Sequence, residues 1–164
     1  MHNVVDIIDV MKAVENARNR GWYDWRTFDV DKYNKKSDLF NGDMNWIIPG
    51  KILATSSFSV CESEGQDPRL LIPKFKKQNI TAVVRLNEKL YEDKHFENNG
   101  IRVYPMECRD GQAPNDLSII DFIKICDAEI ELRKAAIVVH CRAGLGRTGT
   151  MISAYLMWKY DMKA

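Results

Sequence analysis

Five consecutive apolar residues, Ala135-Ala136-Ile137-Val138-Val139, run straight into His140-Cys141-Arg142-Ala143-Gly144-Leu145-Gly146-Arg147-Thr148-Gly149, and an amphipathic stripe begins where that segment ends. An apolar run this short, with no polar alternation, is the pattern of a strand buried on both faces, and such a strand needs helices above and below it. The rest of the chain repeats the arrangement. Trp46 to Ser56, broken by Pro49-Gly50, reads as two short strands, while Thr81 to Leu86 and Ile101 to Met106 read as further strands. Between them lie helix-length segments: Leu70 to Asn79 with Pro73 in its first turn, Tyr91 to Asn99 stopped by Gly100, and Pro114 to Lys134 with an apolar stripe and Asp116 at its start. Gly149 to Met162 carries Met151, Tyr155, Trp158 and Met162 at helical spacing, with no Gly, Asn or Pro to stop it. The alternation predicts an α/β fold, a central mostly parallel sheet flanked by helices, with ligands binding beyond the carboxyl ends of the strands.

Before this region the chain differs. Ile7, Met11, Val14 and Ala17 form the stripe of a helix ending near Gly21, and Gly21 to Asn45 reads as an irregular connector anchored by Trp22, Tyr23, Trp25, Phe28, Tyr33 and Phe40. The 164 residues carry 24 basic and 23 acidic side chains, so no broad positive field favours nucleic acid or an anionic membrane as partner. No apolar run approaches the ~18 residues of a membrane span. Asp6 and Asp9 interrupt the first apolar stretch, against a secretory signal. Cys61, Cys108, Cys126 and Cys141 show no zinc-site or disulfide-framework spacing and read as the reduced thiols of an intracellular protein. No metal or cofactor is called for.

The segment after the apolar strand reads as a cradle for a tetrahedral dianion. A loop bent by Gly144 and Gly146 turns the backbone N–H groups of Arg142, Ala143, Gly144, Leu145 and Gly146 inward, and the helix that follows adds its positive end. The same field favours the thiolate of Cys141. Arg147 offers a planar fork matched to two phosphoryl oxygens, and Thr148 can donate its hydroxyl to the sulfur when an intermediate breaks down. His140 shapes the loop rather than acting as a base, since a thiolate needs none.

This loop, together with Asn41-Gly42-Asp43-Met44-Asn45-Trp46-Ile47-Ile48-Pro49-Gly50-Lys51 and Phe75-Lys76-Lys77-Gln78-Asn79-Ile80-Thr81-Ala82-Val83-Val84-Arg85-Leu86-Asn87, resembles the cysteine-dependent protein phosphatases, and within them the cell-division-cycle-fourteen, or mitotic-exit, dual-specificity enzymes. The resemblance covers most of residues 20 to 164. It implies the cysteine-phosphatase fold, with the phosphate loop between the last buried strand and a helix. It further implies hydrolysis of phosphoserine, phosphothreonine and phosphotyrosine in proteins, with a preference for phosphoserine followed by proline, and residence in cytoplasm or nucleus. Family members pair two phosphatase-like domains, so residues 1 to 45 are expected to be the end of a preceding non-catalytic domain plus a linker. Residues 46 to 164 are then the catalytic domain, truncated at its C-terminus.

Such chemistry needs a proton donor for the leaving oxygen, usually an Asp about thirty residues before the Cys. Asp110, directly after a strand and 31 positions before Cys141, matches the family's Asp-Gly; Asp116 and Asp121 are the alternatives. Glu107, Cys108 and Arg109 depart from the family's more aromatic lead-in. Two other functions fit the same residues: a phosphoinositide or RNA phosphatase, which usually carries extra lysines where this loop has Leu145 and Arg142, and an inactive phosphoprotein-binding module.

Overall fold

A computed structural model describes residues 6–38, 41–60 and 66–163; the readings of Phe40 and Cys61 lie outside the described residues. Helices α1 (Ile7–Asn19) and α2 (Val30–Lys36) precede a β1 (Asn45–Ile48) and β2 (Ile52–Thr55) hairpin. Then follow α3 (Pro68–Lys77), β3 (Ile80–Arg85), α4 (Lys94–Glu97), β4 (Arg102–Pro105), α5 (Asp116–Cys126), a π-helical turn (Asp127–Leu132), β5 (Ala136–His140) and α6 (Gly146–Tyr160). The five-stranded sheet has the order β1-β2-β5-β3-β4, antiparallel at the hairpin and parallel elsewhere.

Strand periodicity divides the core into two layers. Ile137, Val139 and Cys141 from β5 and its end, with Ala82, Val84 and Leu86 from β3 and its end, face Phe122, Cys126, Ile130, Met151 and Tyr155. The alternate residues Ala136, Val138 and Val83 face Leu71, Phe75, Tyr91 and Phe96 on the other side. Every residue of β5 is buried, which is why its sequence shows no polar alternation. The two edge strands are incompletely covered: Asn45 and Trp46 of β1 and Arg102, Val103 and Tyr104 of β4 are half-buried, and Ile47 and Pro105 are exposed.

The connector is more regular than its sequence suggests. Asp29 caps α2 by accepting from the Lys32 N–H at 2.9 Å, a single-residue signal in a segment whose charges and rings mask a seven-residue helix. Of its described rings, Trp22 anchors it as expected, meeting Tyr160 edge-on at 4.7 Å, whereas Tyr23, Trp25, Phe28 and Tyr33 are exposed because they lie on a surface segment that buries no helix face. The stripe of α1 forms a helix capped by the reciprocal Asp6 and Asp9 pair, with Ile7 and Met11 exposed. Helix α5 is capped by Asn115, whose side chain accepts from the Ser118 N–H, and Asp116 lies in the first turn, at the helix start as expected. At the other end, α6 stops at Tyr160 because Asp161 takes a left-handed φ of +52°, a conformation Asp tolerates better than most residues.

The π-helical turn holds the fully buried Glu129 against the amino ends of β3 and β4. Its carboxylate accepts from Arg102 Nε at 2.8 Å and from Arg102 Nη2, Tyr104 OH at 2.8 Å and Thr81 Oγ1 at 3.0 Å. Burial alone would raise its pKa, and the donors Arg102, Tyr104 and Thr81 outweigh it and hold the carboxyl below the usual range. A lowered carboxyl pKa stabilises the fold above the unfolded value and loses that stabilisation as pH falls through the folded one. Glu129→Gln is therefore expected to lower unfolding free energy by ~1–3 kcal/mol at neutral pH, the partly exposed Arg102 limiting the loss. Chemical denaturation should show the gap to the unsubstituted chain closing as pH drops through the carboxylate range.

Candidate active site

The site grows out of the carboxyl end of β5. The Leu86 N–H after β3 donates to the His140 carbonyl at 2.9 Å, and the Ser57 N–H after β2 donates to the Arg142 carbonyl at 2.9 Å. Both neighbours thus pin the loop as it leaves the sheet. Helix α6 begins at Gly146, three residues earlier than its apolar stripe indicates, which places Arg147 and Thr148 in its first turn. Gly149 donates to the Leu145 carbonyl at 2.7 Å; the N–H groups just before it belong to the helix's unpaired positive end.

The two glycines expected to bend the loop have different roles. Gly144 has a φ of +72°, and a Cβ there would lie 2.4 Å from the Thr55 carbonyl oxygen and 2.7 Å from its carbon, backbone atoms of a sheet strand that cannot give way. Gly146 has no such φ and a Cβ on it would meet nothing within 4 Å. The bend therefore depends on Gly144, while Gly146 is an ordinary first helical residue.

Cys141 is 3% exposed at the floor of the loop. Burial would push its thiol up, but the Thr148 hydroxyl, the Thr148 and Gly144 N–H groups and the charge of Arg147 together hold it below its ordinary value. The Thr148 hydroxyl, fully buried, has no regular hydrogen-bond acceptor elsewhere among the described residues, leaving it free to serve the sulfur. His140 is fully buried beneath the loop. Its Nδ1 faces the Cys141 carbonyl at 3.3 Å and its Nε2 faces the Tyr91 hydroxyl at 2.8 Å. A carbonyl only accepts, so the proton is on Nδ1 and Tyr91 donates to Nε2. Desolvation, reinforced by Arg85 and opposed by the Cys141 carbonyl, brings the His140 pKa down to about 3, so the ring is neutral and serves as a fixed spacer.

Arg147, with its side chain 6% exposed, donates from Nη1 to the Cys108 carbonyl at 3.0 Å and places Nη2 3.3 Å from Asp110 Oδ1, while its Nε is buried without a partner among the described residues. Of the three candidate acids, Asp110 is the one ion-paired to the loop; Asp121 pairs with Lys124 on the exposed face of α5. Asp110 lies in a turn closed by Gly111 at φ +73° and is itself 85% exposed in its side chain. Arg142 points to the rim and meets Glu88 at 2.8 Å. The sequence reading did not single out Tyr91, Asn87 or Glu88; all three follow the carboxyl end of β3, where the topology places ligand-facing groups. Tyr23, Phe28, Tyr33 and Trp46 line a groove that runs up to Gly144 and Leu145.

Two outcomes follow. Gly144→Ala should lower unfolding free energy by at least ~1–2 kcal/mol from the left-handed φ alone and abolish thermal protection by inorganic phosphate, whereas Gly146→Ala should stay within ~0.5 kcal/mol. Alkylation of Cys141 by iodoacetamide, followed against pH, should titrate below the ~8.5 of a free thiol, and Thr148→Val should move that midpoint upward because it removes a donor to the thiolate.

A family model described as "Polymorphic toxin system, DSP-PTPase phosphatase" matches residues 71–161, from α3 through α6. The dual specificity protein phosphatase CDC14A of Homo sapiens is 43% identical over 159 residues, covering 94% of this chain and 26% of the relative. The tyrosine-protein phosphatase CDC14 of Saccharomyces cerevisiae is 35% identical over 174 residues, covering 98% of this chain and 30% of the relative. The chain thus spans about a quarter to a third of the curated relatives it matches. Among solved structures, Tk-PTP in its active form superposes with a TM-score of 0.60 at 21% identity, over 73% of this chain and 76% of that one. Fold, loop and matched residues agree that the chain belongs to the DSP-PTPase phosphatase family, and along almost its whole length it is similar to the CDC14 relatives.

Proposed function

We propose that this chain hydrolyses phosphoserine, phosphothreonine and phosphotyrosine in proteins, with a preference for proline-directed sites, through a cysteinyl-phosphate. The observation that carries the reading is the buried sulfur of Cys141, its pKa lowered by Thr148, the Gly144 N–H and Arg147, with Arg147 ion-paired to Asp110. The phosphoryl dianion sits on the N–H groups of residues 142 to 147 and on the Arg147 fork, which follows the charge as it spreads over the equatorial oxygens. Thiolate attack on phosphorus forms the S–P bond as the P–O bond breaks, and Asp110 gives its proton to the departing alkoxide or phenolate. Water then attacks phosphorus and yields a proton to Asp110, while the Thr148 hydroxyl steadies the thiolate that leaves. His140 holds the Cys141 carbonyl and with it the floor of the loop. The groove lined by Tyr23, Phe28 and Tyr33 gives a peptide somewhere to lie beside the cradle.

Cys141→Ser is expected to abolish turnover while keeping phosphopeptide affinity, read by steady-state assay and by titration with a labelled peptide. Asp110→Ala should slow hydrolysis by ~10²–10⁴-fold for phosphoserine and much less for an activated aryl phosphate, whose leaving group needs no proton. Parallel assays on phosphoseryl-prolyl, phosphotyrosyl and phosphoinositide substrates decide the substrate class. Equal or better activity on the lipid would overturn the protein-phosphatase reading, and full activity in Cys141→Ser would overturn the mechanism.

A further inference from the structure

The rim of the phosphate loop carries a closed circuit of contacts that the reaction does not require. The Ser57 N–H donates to the Arg142 carbonyl at 2.9 Å. The Ser57 hydroxyl accepts from Asn87 Nδ2 at 3.2 Å, and the same amide nitrogen donates to the Glu88 carbonyl at 3.0 Å. The Glu88 side chain closes the ring by accepting from Arg142 Nη1 at 2.8 Å. Asn87 is fully buried, so the backbone that carries Glu88 is fixed even though the Glu88–Arg142 pair itself is open to water, with side chains 47% and 58% exposed. Glu88 is also an acid in earnest: its own N–H, and against a small burial penalty Arg142 and Arg147, hold its carboxyl below the usual range.

The two cations of the loop are therefore disposed differently. Arg147 is buried, with its Nε unpartnered among the described residues and its guanidinium near the thiolate. Arg142, the extra charge by which a loop of this kind could grip a second anionic group, is turned aside by a carboxylate that a fixed backbone presents to it.

We propose that Glu88 is a specificity-determining residue that sets how much negative charge the site accepts: by engaging Arg142 and placing its own carboxylate at the rim, it favours peptides with one isolated phosphoryl group over peptides carrying a second phosphoryl group close by. The inference deepens the phosphatase reading and rests on it. An anion beside the scissile phosphate would have to compete with Glu88 for Arg142 while being repelled by it, and in a solvent-exposed setting that is a modest but measurable effect.

The test compares a singly phosphorylated serine peptide with neutral flanks and the same peptide bearing a second phosphoserine nearby, at low ionic strength so that surface charges are not screened. Glu88→Gln should raise the doubly-to-singly phosphorylated ratio of kcat/KM by about three- to tenfold, and Glu88→Gln with Arg142→Gln should lose most of that gain. Glu88→Asp should keep the ratio near that of the unsubstituted chain. Dissociation constants of the two peptides on a Cys141→Ser background give the same ratio independently of turnover. Binding with the expected shift but no hydrolysis would sink the phosphatase reading and uphold the role of Glu88. A ratio that moves by less than about twofold in Glu88→Gln overturns that role whatever the enzyme does.

Discussion

A sulfur that the fold has largely removed from water is surrounded by groups that favour its ionised form. Burial opposes ionisation of Cys141, and the opposition is overcome only because two backbone N–H groups, one hydroxyl and one guanidinium converge on the same atom. None of those donors is useful unless its direction is fixed. The N–H groups are fixed by the Gly144 turn and the first turn of α6, and the turn is fixed by the close approach of Gly144 to the Thr55 carbonyl. Thr55 in turn is paired with His140 across the β2–β5 ladder. The sheet is thus the reference frame for the sulfur, which explains why the most apolar strand of the chain is the one that leads into the phosphate loop.

The same frame accounts for the buried polar residues around the loop. His140 and Asn87 are fully buried and Arg85 nearly so, an expensive set unless each is paired. Arg85 reaches Asp93 at 2.5 Å and lies over the Tyr91 ring at 5.4 Å, Tyr91 donates to His140, and His140 holds the Cys141 carbonyl. A chain of contacts therefore links the start of α4 to the residue that carries the charge. Because the imidazole is kept neutral, the chain transmits position without adding a second titration near the thiolate.

Much of this was legible from residue order. The alternation of apolar runs and helical stripes marks the layers, and the Cys-to-Arg loop between a buried strand and a helix marks the candidate site. What stayed hidden has physical causes. The start of α6 was placed late because an apolar stripe marks only the buried part of a helix, and the first turn here faces the anion cradle rather than the core. Helix α2 was missed because none of its residues is buried, so it leaves no periodic trace. Gly144 and Gly146 are indistinguishable as letters, since only the nearness of Thr55 separates a required glycine from a tolerated one. Tyr91 and Glu88 act across the sheet on residues about fifty positions away, and nothing local announces such a partner.

The ion pairs of the molecule sort by how completely their members are satisfied. Arg102 and Glu129 form a closed set at the amino ends of the strands, with every oxygen of a buried carboxylate engaged, and such a set holds structure together. At the carboxyl ends the pairing is incomplete. Arg147 keeps its Nε unpartnered among the described residues and shares Nη2 with an Asp110 that is almost wholly in solvent, so Asp110 is held only weakly. A phosphoryl dianion carries more charge than one carboxylate, matches the guanidinium with two oxygens and meets the positive end of α6 as well. On the proposed mechanism it would displace Asp110 from Arg147 on arrival. The displaced carboxyl would then be carried on its turn beside the leaving oxygen. The incompleteness of this pair, set against the completeness of the one at the other end of the sheet, is what separates a site from a scaffold in this chain.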